Sequence, residues 1–408
     1  MKKVILHIGS HKTGTSSIQS SIKNYNFKKI KAAVFPSINH SIPMYTIFSK
    51  NFLNYHVWKK KGYSNTQIIK KKKEFLNILN EQINDQTYDT LIISGEDISN
   101  LDQEDKILLI NFFKNNKLDL EIVYFIRNPI DFCISSYQER IKGGLNEIKN
   151  HFQNFSSSNF NTVLPFLKNL SEDSVHIYSY DDSIKEYGDI VNAFSYYLNL
   201  SNLSNIRNNE SLTEISLKII YRLNNIPFKT LGNDKKFNAR KKMRNELINY
   251  FTKNDYKQIN KKIFTENLKI NLKENEINLL KKYNFDTSFL NNKNHNIDNI
   301  IKYLNEFNIE DRIEFNKFCS QFILTDIIEK ISLNSLILCL YLKFLYTDEN
   351  DFINALRNEA ISFEKKNFNF YKIYCYELML MASYLRPKGV FIQKKLSKYN
   401  NHLKMKKV

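Results

Sequence analysis

The sequence predicts an α/β domain, built on a parallel sheet flanked by helices, followed by an all-α C-terminal domain. Short, nearly continuous apolar runs are typical of strands that are buried on both faces, and helical patterns alternate with them. After about residue 295 only helical patterns follow. The 408 residues exceed one average domain, so we predict the α/β domain at 1–295 and the helical domain at 296–408.

The first predicted strand runs from Val4 to Ile8, and a turn of small and hydroxyl-bearing residues follows it from Gly9 onward. A helical pattern opens at Ser16. A strand, a small-residue turn and a helix N-terminus form a geometry that binds phosphate, because free N–H groups and the positive end of the helix dipole meet there. We therefore expect an anion site at this turn.

Residues 12 to 16 of that turn carry the groups suited to a phosphate. Gly14 lets the backbone approach closely, Lys12 adds a positive charge, and the hydroxyls of Thr15 and Ser16 add donors. In an ATP- or GTP-binding loop the lysine directly follows the second glycine, whereas Lys12 lies two residues before Gly14. The turn thus predicts a phosphate site that differs from a Walker A loop.

The chain continues with a short second strand at 32–36, a segment of aromatic and polar residues at 37–65, and an amphipathic helix at 68–83. The segment 37–65 either lines a ligand pocket or is a surface excursion. The next buried strand, at 90–98, ends in the carboxylate of Glu96. Ligands of open α/β sheets bind at the carboxyl ends of the strands, so Glu96 is a candidate site residue.

A helical pattern at 103–115 leads to a buried strand at 120–126, which runs directly into Arg127. Arg127 therefore leaves the carboxyl end of a strand, where its guanidinium can bind a phosphate through two parallel hydrogen bonds. Pro129 sits where a helix begins, and Ser135 lies about two turns further along that helix. Ser135 can share a phosphate with Arg127 if the ligand lies along the helix.

The last strand pattern of this domain, at 174–182, contains Tyr180 and precedes a helical pattern at 184–200. Together with the two segments above, it resembles the sulfotransferases that use 3′-phosphoadenosine 5′-phosphosulfate (PAPS). Their 5′-phosphosulfate loop reads K-[ST]-G-[TS]-[TS], which matches Lys12 to Ser16, and their 3′-phosphate site reads R-x-P-x-D-x-x-x-S, which matches Arg127 to Ser135. The third segment is similar to the family's Y-E-D-L and F-x-x-F-L-G-L patterns, whose tyrosine contacts the adenine.

The resemblance implies a P-loop-type fold and a bacterial-type enzyme that moves the sulfuryl group of PAPS to a hydroxyl or amine of a cell-surface carbohydrate or its precursor. The product nucleotide is PAP, and no metal is needed. The resemblance assigns the nucleotide to eight residues: Lys12, Thr13, Gly14, Thr15, Ser16, Arg127, Ser135 and Tyr180. Lys12 would also act in catalysis, by stabilising the leaving group.

A general base must take the proton of the acceptor, and the resemblance points to the end of the strand at 90–98. Cytosolic members of the family have a histidine there, in a K-T-H segment, whereas this chain has Glu96. Relatives that modify glycans use a glutamate as base. We predict that Glu96 is the base, with His40 as the second candidate and His11 as the third.

Composition narrows the classes of partner and location. The formal charge of +18 suits anionic partners such as nucleotides and acidic glycans, or reflects a solvated lysine-rich surface. The four cysteines indicate buried thiols in a reducing compartment, and the histidines form no metal-binding pattern. Without a signal peptide or about 18 consecutive apolar residues, we expect a cytoplasmic location, with peripheral contact at the inner membrane face as an alternative.

The C-terminal domain has helix starts near 333 and 367, which differ by 34 residues, the period of tetratricopeptide hairpins. The alternatives are such hairpins, whose surface would suit a protein partner, or an unrelated helical bundle. The tail from Lys388 onward is basic with apolar residues interleaved. It predicts either a capping helix or an interfacial helix on anionic lipid.

Two other functions stay open at this point. The first is a P-loop nucleotide kinase or phosphotransferase, against which the position of Lys12 argues. The second is a non-enzymatic basic scaffold that binds nucleic acid. The sequence contains no recognised nucleic-acid module and its positive charge is spread along the chain, so we expect no nucleic-acid partner.

Overall fold

The computed structural model describes residues 2–10, 12–145, 147–153, 155, 162–206, 212–226, 234–254, 257–291 and 295–404. The chain forms two compact units. The first comprises residues 1–135, 154–210 and 268–294, and the second comprises 136–153, 211–267 and 295–408. The domain boundary at residue 295 stays a prediction.

Within the described residues, the first unit is built on a six-stranded sheet. In order across the sheet, its strands are β2 (Asn26–Phe27), β3 (Ile30–Ala32), β4 (Thr90–Ser94), β1 (Lys3–His7), β5 (Asp119–Ile126) and β6 (Val175–Ser179). The strands β2 and β3 form an antiparallel hairpin at one edge, and all other neighbours in the sheet are parallel. Since β1 pairs with β4 on one side and with β5 on the other, the strand order reverses at β1. Ligands of open α/β sheets bind outside the carboxyl ends of the strands at such a point.

The α-helices of the described residues are numbered in chain order. They are α1 (Thr15–Ser21), α2 (Ser41–Phe48), α3 (His56–Lys61), α4 (Asn65–Asn84), α5 (Gln103–Asn115), α6 (Pro129–Lys142), α7 (Ile148–Gln153), α8 (Leu164–Asn169), α9 (Tyr180–Tyr187), α10 (Ile190–Tyr197), α11 (Glu214–Asn225), α12 (Asp234–Lys253), α13 (Lys261–Asn267), α14 (Glu274–Lys282), α15 (Ile297–Asn305), α16 (Ile309–Cys319), α17 (Thr325–Ile328), α18 (Leu333–Leu345), α19 (Glu349–Leu385) and α20 (Val390–Lys404). Every regular element described from Ile297 onward is helical, and the predicted fold class, a parallel α/β sheet flanked by helices plus an all-α C-terminal region, is confirmed. The P-loop character of the sheet stays a prediction.

The sheet is buried because its strands are apolar on both faces. Val4, Leu6, Leu91 and Ile122 are all fully buried, as expected for the middle of a parallel sheet. Helices α1 and α10 cover one face, where Ile18 and other apolar side chains pack on β1, β4 and β5. This packing holds the first residues of α1 at the carboxyl end of β1, which is where the predicted phosphate loop begins.

Several elements differ in extent from the sequence prediction. The second strand ends at Ala32 rather than Pro36, and the strand predicted at 90–98 ends at Ser94 and continues as a 3₁₀ turn at Glu96–Ile98. The helix predicted at 184–200 is two helices, because Gly188 adopts a positive φ of 80° between them. The hydroxyl of Ser179 caps α9, so the strand predicted at 174–182 ends there.

The second unit is organised around α18, in which every residue from Ser335 to Leu342 is buried. An all-round apolar helix has no solvent face, and α11, α12 and α19 contact it. Non-helical backbone at Asn367 divides α19 into two segments, close to the predicted helix start. The tetratricopeptide-like character of this region stays a prediction.

No helix in the described parts of the chain is long and apolar enough to cross a membrane.

All four cysteines are buried and none of them forms a disulfide bond, as the sequence predicted. Burial raises the pKa of the Cys133 and Cys339 thiols well above the ordinary value, which keeps them protonated. These thiols therefore act as small apolar core groups.

Candidate active site

The loop between β1 and α1 folds back on itself at the carboxyl end of the central strand. A Cβ atom on Gly9 would lie 2.3 Å from the Thr15 Oγ1 atom, so only glycine allows this close approach. The hydroxyls of Thr13 and Thr15 both donate to the Ser10 carbonyl, at 2.7 and 3.4 Å. These two threonines brace the loop from inside, whereas Ser16 in the first turn of α1 is exposed.

Two of the loop residues that the structure describes adopt left-handed backbone conformations. Lys12 has a φ of 67° and Gly14 a φ of 70°. A Cβ atom on Gly14 would also lie 2.6 Å from the Ile190 Cγ2 atom, so α10 packs directly against the loop. A left-handed lysine costs on the order of 1–2 kcal/mol and is typical of functional loops, where N–H groups are turned toward a bound anion.

Arg127 reaches the loop from the end of β5. Its Nη1 atom donates to the Lys12 carbonyl at 2.9 Å, and its guanidinium lies 5.0 Å from the centre of the Tyr180 ring. The buried Nε atom lies 4.0 Å from the Asp181 carboxylate and has no hydrogen-bond acceptor among the described residues. A buried N–H without an acceptor is costly, so the Arg127 Nε atom is suited to donate to a further acceptor such as a phosphate oxygen.

The two predicted phosphate segments therefore meet at one place. Lys12, Arg127 and Tyr180 are brought together by the contacts above. Tyr180 is the first residue of α9 and is half-buried, and burial raises the pKa of its hydroxyl. Ser135 lies six residues after the start of α6, roughly 9 Å along the helix axis, and is half-buried. Its role stays a prediction.

Glu96 lies beyond the end of β4, beside the loop. His7 of β1 pairs with Ser94 of β4, so the segments that follow these two strands leave the sheet side by side. Gly9 and Glu96 each lie two residues beyond this pair. Adjacent strands are about 4.8 Å apart, which places the Glu96 segment next to the phosphate loop. Glu96 is partly exposed at this edge, as a residue that meets a substrate must be.

His40, the second candidate for the base, is buried and bound to the main chain. Its Nδ1 atom accepts from the Ser94 N–H at 3.0 Å, and its ring also hydrogen-bonds the backbone of Ala33. Burial lowers the pKa of His40 to about 4, so the ring is neutral at pH 7. These bonds indicate a clamp between strands rather than a group that exchanges protons. His11, the third candidate, lies outside the described residues.

Sequence reasoning missed His7, the last residue of β1. Its ring is fully buried between Phe125 and Phe194, and its Nδ1 atom lies 2.8 Å from the Ser94 hydroxyl. Burial lowers the pKa of His7 to about 3. A histidine inside an apolar strand run was the only signal, and it gave no indication of the partner Ser94.

A small pocket lies beside α1 and the end of β3. It encloses about 60 Å³, enough for about four to six water-sized groups. Apolar side chains such as Phe35 and Ile38 line it, together with Gln19, Lys23 and His40. Part of the segment 37–65, predicted as a ligand pocket or a surface excursion, thus lines a cavity.

In the described ranges, no group of three or more histidine, cysteine, aspartate or glutamate side chains could hold a metal ion. No family model and no curated protein matches the sequence. Among solved structures, the chain is similar to a sulfotransferase from Alicyclobacillus acidocaldarius, with 10% identity and a TM-score of 0.35 over 55% of this chain and 93% of that one. It is also similar to the sulfotransferase domain from the curacin biosynthetic pathway, with 14% identity and a TM-score of 0.34 over 70% of this chain and 99% of that one.

Proposed function

We propose that this chain is a sulfotransferase that moves the sulfuryl group of PAPS to a hydroxyl of a carbohydrate acceptor. The observation that carries the proposal is the hydrogen bond from Arg127 to the Lys12 carbonyl. It joins two segments that are 115 residues apart in the sequence and that each match a different phosphate site of PAPS. Two features fit an anionic nucleotide there. The Arg127 Nε atom has no hydrogen-bond acceptor among the described residues, and Gly9 and Gly14 allow the backbone of the loop to pack more closely than a side chain would permit.

In this mechanism the backbone N–H groups of residues 13–16 and the exposed hydroxyl of Ser16 bind the 5′-phosphosulfate at the N-terminus of α1. Arg127, with Ser135, binds the 3′-phosphate, and Tyr180 contacts the adenine. These contacts fix the donor, so that the acceptor oxygen attacks the sulfur in line with the bond that breaks.

Glu96 accepts the proton of the acceptor hydroxyl as the new S–O bond forms. Lys12 stabilises the negative charge that develops on the bridging oxygen as the S–O bond to PAP breaks. The pocket beside α1 offers room for part of the acceptor. The proton, the sulfuryl group and the leaving oxygen are all accounted for without a metal ion.

The test combines binding and turnover. PAP and ATP are each titrated into the protein by calorimetry, and PAPS is then supplied with a panel of neutral and acidic oligosaccharides whose mass shifts report sulfation. We expect tight binding of PAP, weak binding of ATP and one sulfated product. Preferential binding of ATP, with phosphorylated product, would point to a kinase. Salt-dependent binding of duplex DNA without affinity for PAP would point to a nucleic-acid scaffold.

The base is tested separately. Glu96→Gln keeps the size of the side chain and removes its basicity, so we expect unchanged PAP binding and loss of turnover by a factor of 10² or more. Near-normal turnover of this variant would remove Glu96 from the role while leaving the donor proposal intact.

A further inference from the structure

A buried carboxylate lies directly beside Glu96 and takes no part in the mechanism above. Asp97 is 7% exposed and Tyr55 is 4% exposed, and the Tyr55 hydroxyl donates to the Asp97 Oδ2 atom. The other carboxylate oxygen, Oδ1, accepts from the Asn100 side-chain amide at 2.9 Å. Both oxygens of the carboxylate are thus held by side chains on different segments.

The backbone of the same turn is held as well. The Asp97 N–H donates to the Ser41 hydroxyl at 2.9 Å, and the Gly95 N–H donates to the His7 carbonyl at 3.1 Å. A Cβ atom on Gly95 would lie 2.6 Å from the Ser41 nitrogen, so the start of α2 presses directly on the turn. The 3₁₀ turn at 96–98 is therefore tied to α2, to β1 and to Tyr55.

Tyr55 is suited to hold this carboxylate permanently. Burial, the hydrogen bond to Asp97 and the negative charges of Asp97 and Glu96 all raise the pKa of its hydroxyl, so Tyr55 remains a proton donor across the physiological range. Its ring stacks on Tyr45 with centroids 4.3 Å apart, which restricts the ring to one orientation. The donor is therefore fixed in both protonation and direction.

We propose that Asp97, held by Tyr55, is a positioning residue that orients Glu96 toward the acceptor. This inference rests on the proposed function, in which Glu96 is the base. Glu96 and Asp97 are consecutive in a 3₁₀ turn, where successive side chains point about 120° apart. With Asp97 fixed in the interior, the turn can present Glu96 only at the carboxyl edge of the sheet, beside the phosphate loop.

Tyr55→Phe is the main test, because it removes the hydroxyl and keeps the ring. The matched control is Tyr88→Phe, which removes an equally buried hydroxyl that donates to the Gln82 carbonyl, near the amino end of β4. We expect similar falls in thermal midpoint for both variants. Only Tyr55→Phe should lower kcat, about tenfold, with the KM for PAPS and the Kd for PAP unchanged.

Amide hydrogen exchange of the unliganded protein gives a readout that does not depend on turnover. The peptide that covers residues 95–101 should exchange faster in Tyr55→Phe than in Tyr88→Phe. Asp97→Asn keeps an acceptor for Tyr55 and, after rotation of the Asn100 amide, the second hydrogen bond, so it should retain most of the activity. Asp97→Ala should lose activity as Tyr55→Phe does.

The inference is overturned if Tyr55→Phe matches Tyr88→Phe in kcat or in exchange of this peptide. If Tyr55→Phe does not fold, Asn100→Ala replaces it, since Asn100 is exposed and its loss removes one bond to Asp97. A kcat of Asn100→Ala equal to that of the unmodified protein would then overturn the inference. Normal turnover of Glu96→Gln would instead contradict the proposed base, and an absence of PAP binding would contradict the proposed donor.

Discussion

Replacing Arg127 tests the convergence of the two phosphate segments most directly. Its side chain is 18% exposed, its Nη1 atom donates to the Lys12 carbonyl, and its Nε atom, 4.0 Å from the Asp181 carboxylate, has no hydrogen-bond acceptor among the described residues. A hydrogen bond to a charged group contributes about 1.5–3 kcal/mol, and about 1.4 kcal/mol corresponds to a tenfold change in affinity. The loss of one or two such bonds in Arg127→Ala should therefore raise the Kd for PAP by about 100-fold.

The assay compares two ligands that differ in a single group. PAP and adenosine 5′-monophosphate share the adenosine and the 5′-phosphate, and only PAP carries the 3′-phosphate. Calorimetry should show that Arg127→Ala raises the Kd for PAP by about 100-fold and the Kd for the monophosphate by less than about fivefold. Arg127→Lys keeps the charge without the paired donors, so its affinity for PAP should lie between that of the unmodified protein and that of Arg127→Ala.

Arg140→Ala is the control, because Arg140 lies exposed in the last turn of α6. It should leave both affinities unchanged. The reasoning would be refuted if Arg127→Ala weakened the binding of PAP and of the monophosphate equally. That result would mean that Arg127 acts by supporting the Lys12 carbonyl in the loop rather than by binding a 3′-phosphate.

Three further predictions follow from the same site. Gly14→Ala places a methyl group 2.6 Å from Ile190 at a positive φ, so chemical denaturation should show a loss of about 2–4 kcal/mol, with PAP binding abolished. His7 and His40 have pKa values of about 3 and about 4 when folded, so between pH 6.5 and 4 unfolding takes up protons. Stability should therefore fall as the pH falls, by on the order of 2 kcal/mol per histidine at pH 5, and His40→Gln should flatten this dependence in urea titrations at pH 7 and 5. Ser135→Ala should raise the Kd for PAP by about threefold to tenfold and leave the Kd for adenosine 5′-monophosphate unchanged, as calorimetry can measure.

The fold and the general position of the site could be predicted because they depend on local patterns. The apolar run at 120–126 indicated a buried parallel strand, and a parallel sheet places Arg127 at the same edge as the turn after β1. The contact from Arg127 to the Lys12 carbonyl could not be predicted. It depends on a left-handed lysine, a conformation that no residue type signals except glycine and, to a lesser degree, asparagine and aspartate.

The roles of His40 and Asp97 were hidden for a different reason. Helix α2 is buried on most sides, so its sequence lacks the periodic polar face that would have revealed it. Without α2, nothing indicated that His40 is held between β4 and the chain after β3, or that the segment 37–65 delivers Tyr55 to Asp97. A histidine near a strand end is compatible with a base and with a structural clamp, and only its burial and partners distinguish the two.

The strand order gives the proposed reaction a direction. Across the carboxyl edge of the sheet the segments follow in the order Glu96, phosphate loop and Arg127, because β1 lies between β4 and β5. With strands about 4.8 Å apart, β4 and β5 are separated by roughly 10 Å measured across the sheet, so the Glu96 and Arg127 segments lie on opposite sides of the loop. A donor held by its 3′-phosphate at Arg127 and by its 5′ end at the loop presents the sulfuryl group on the side of Glu96. In the proposed reaction, the base Glu96 and the leaving nucleotide then lie on opposite sides of the sulfur, which is the arrangement that in-line transfer needs.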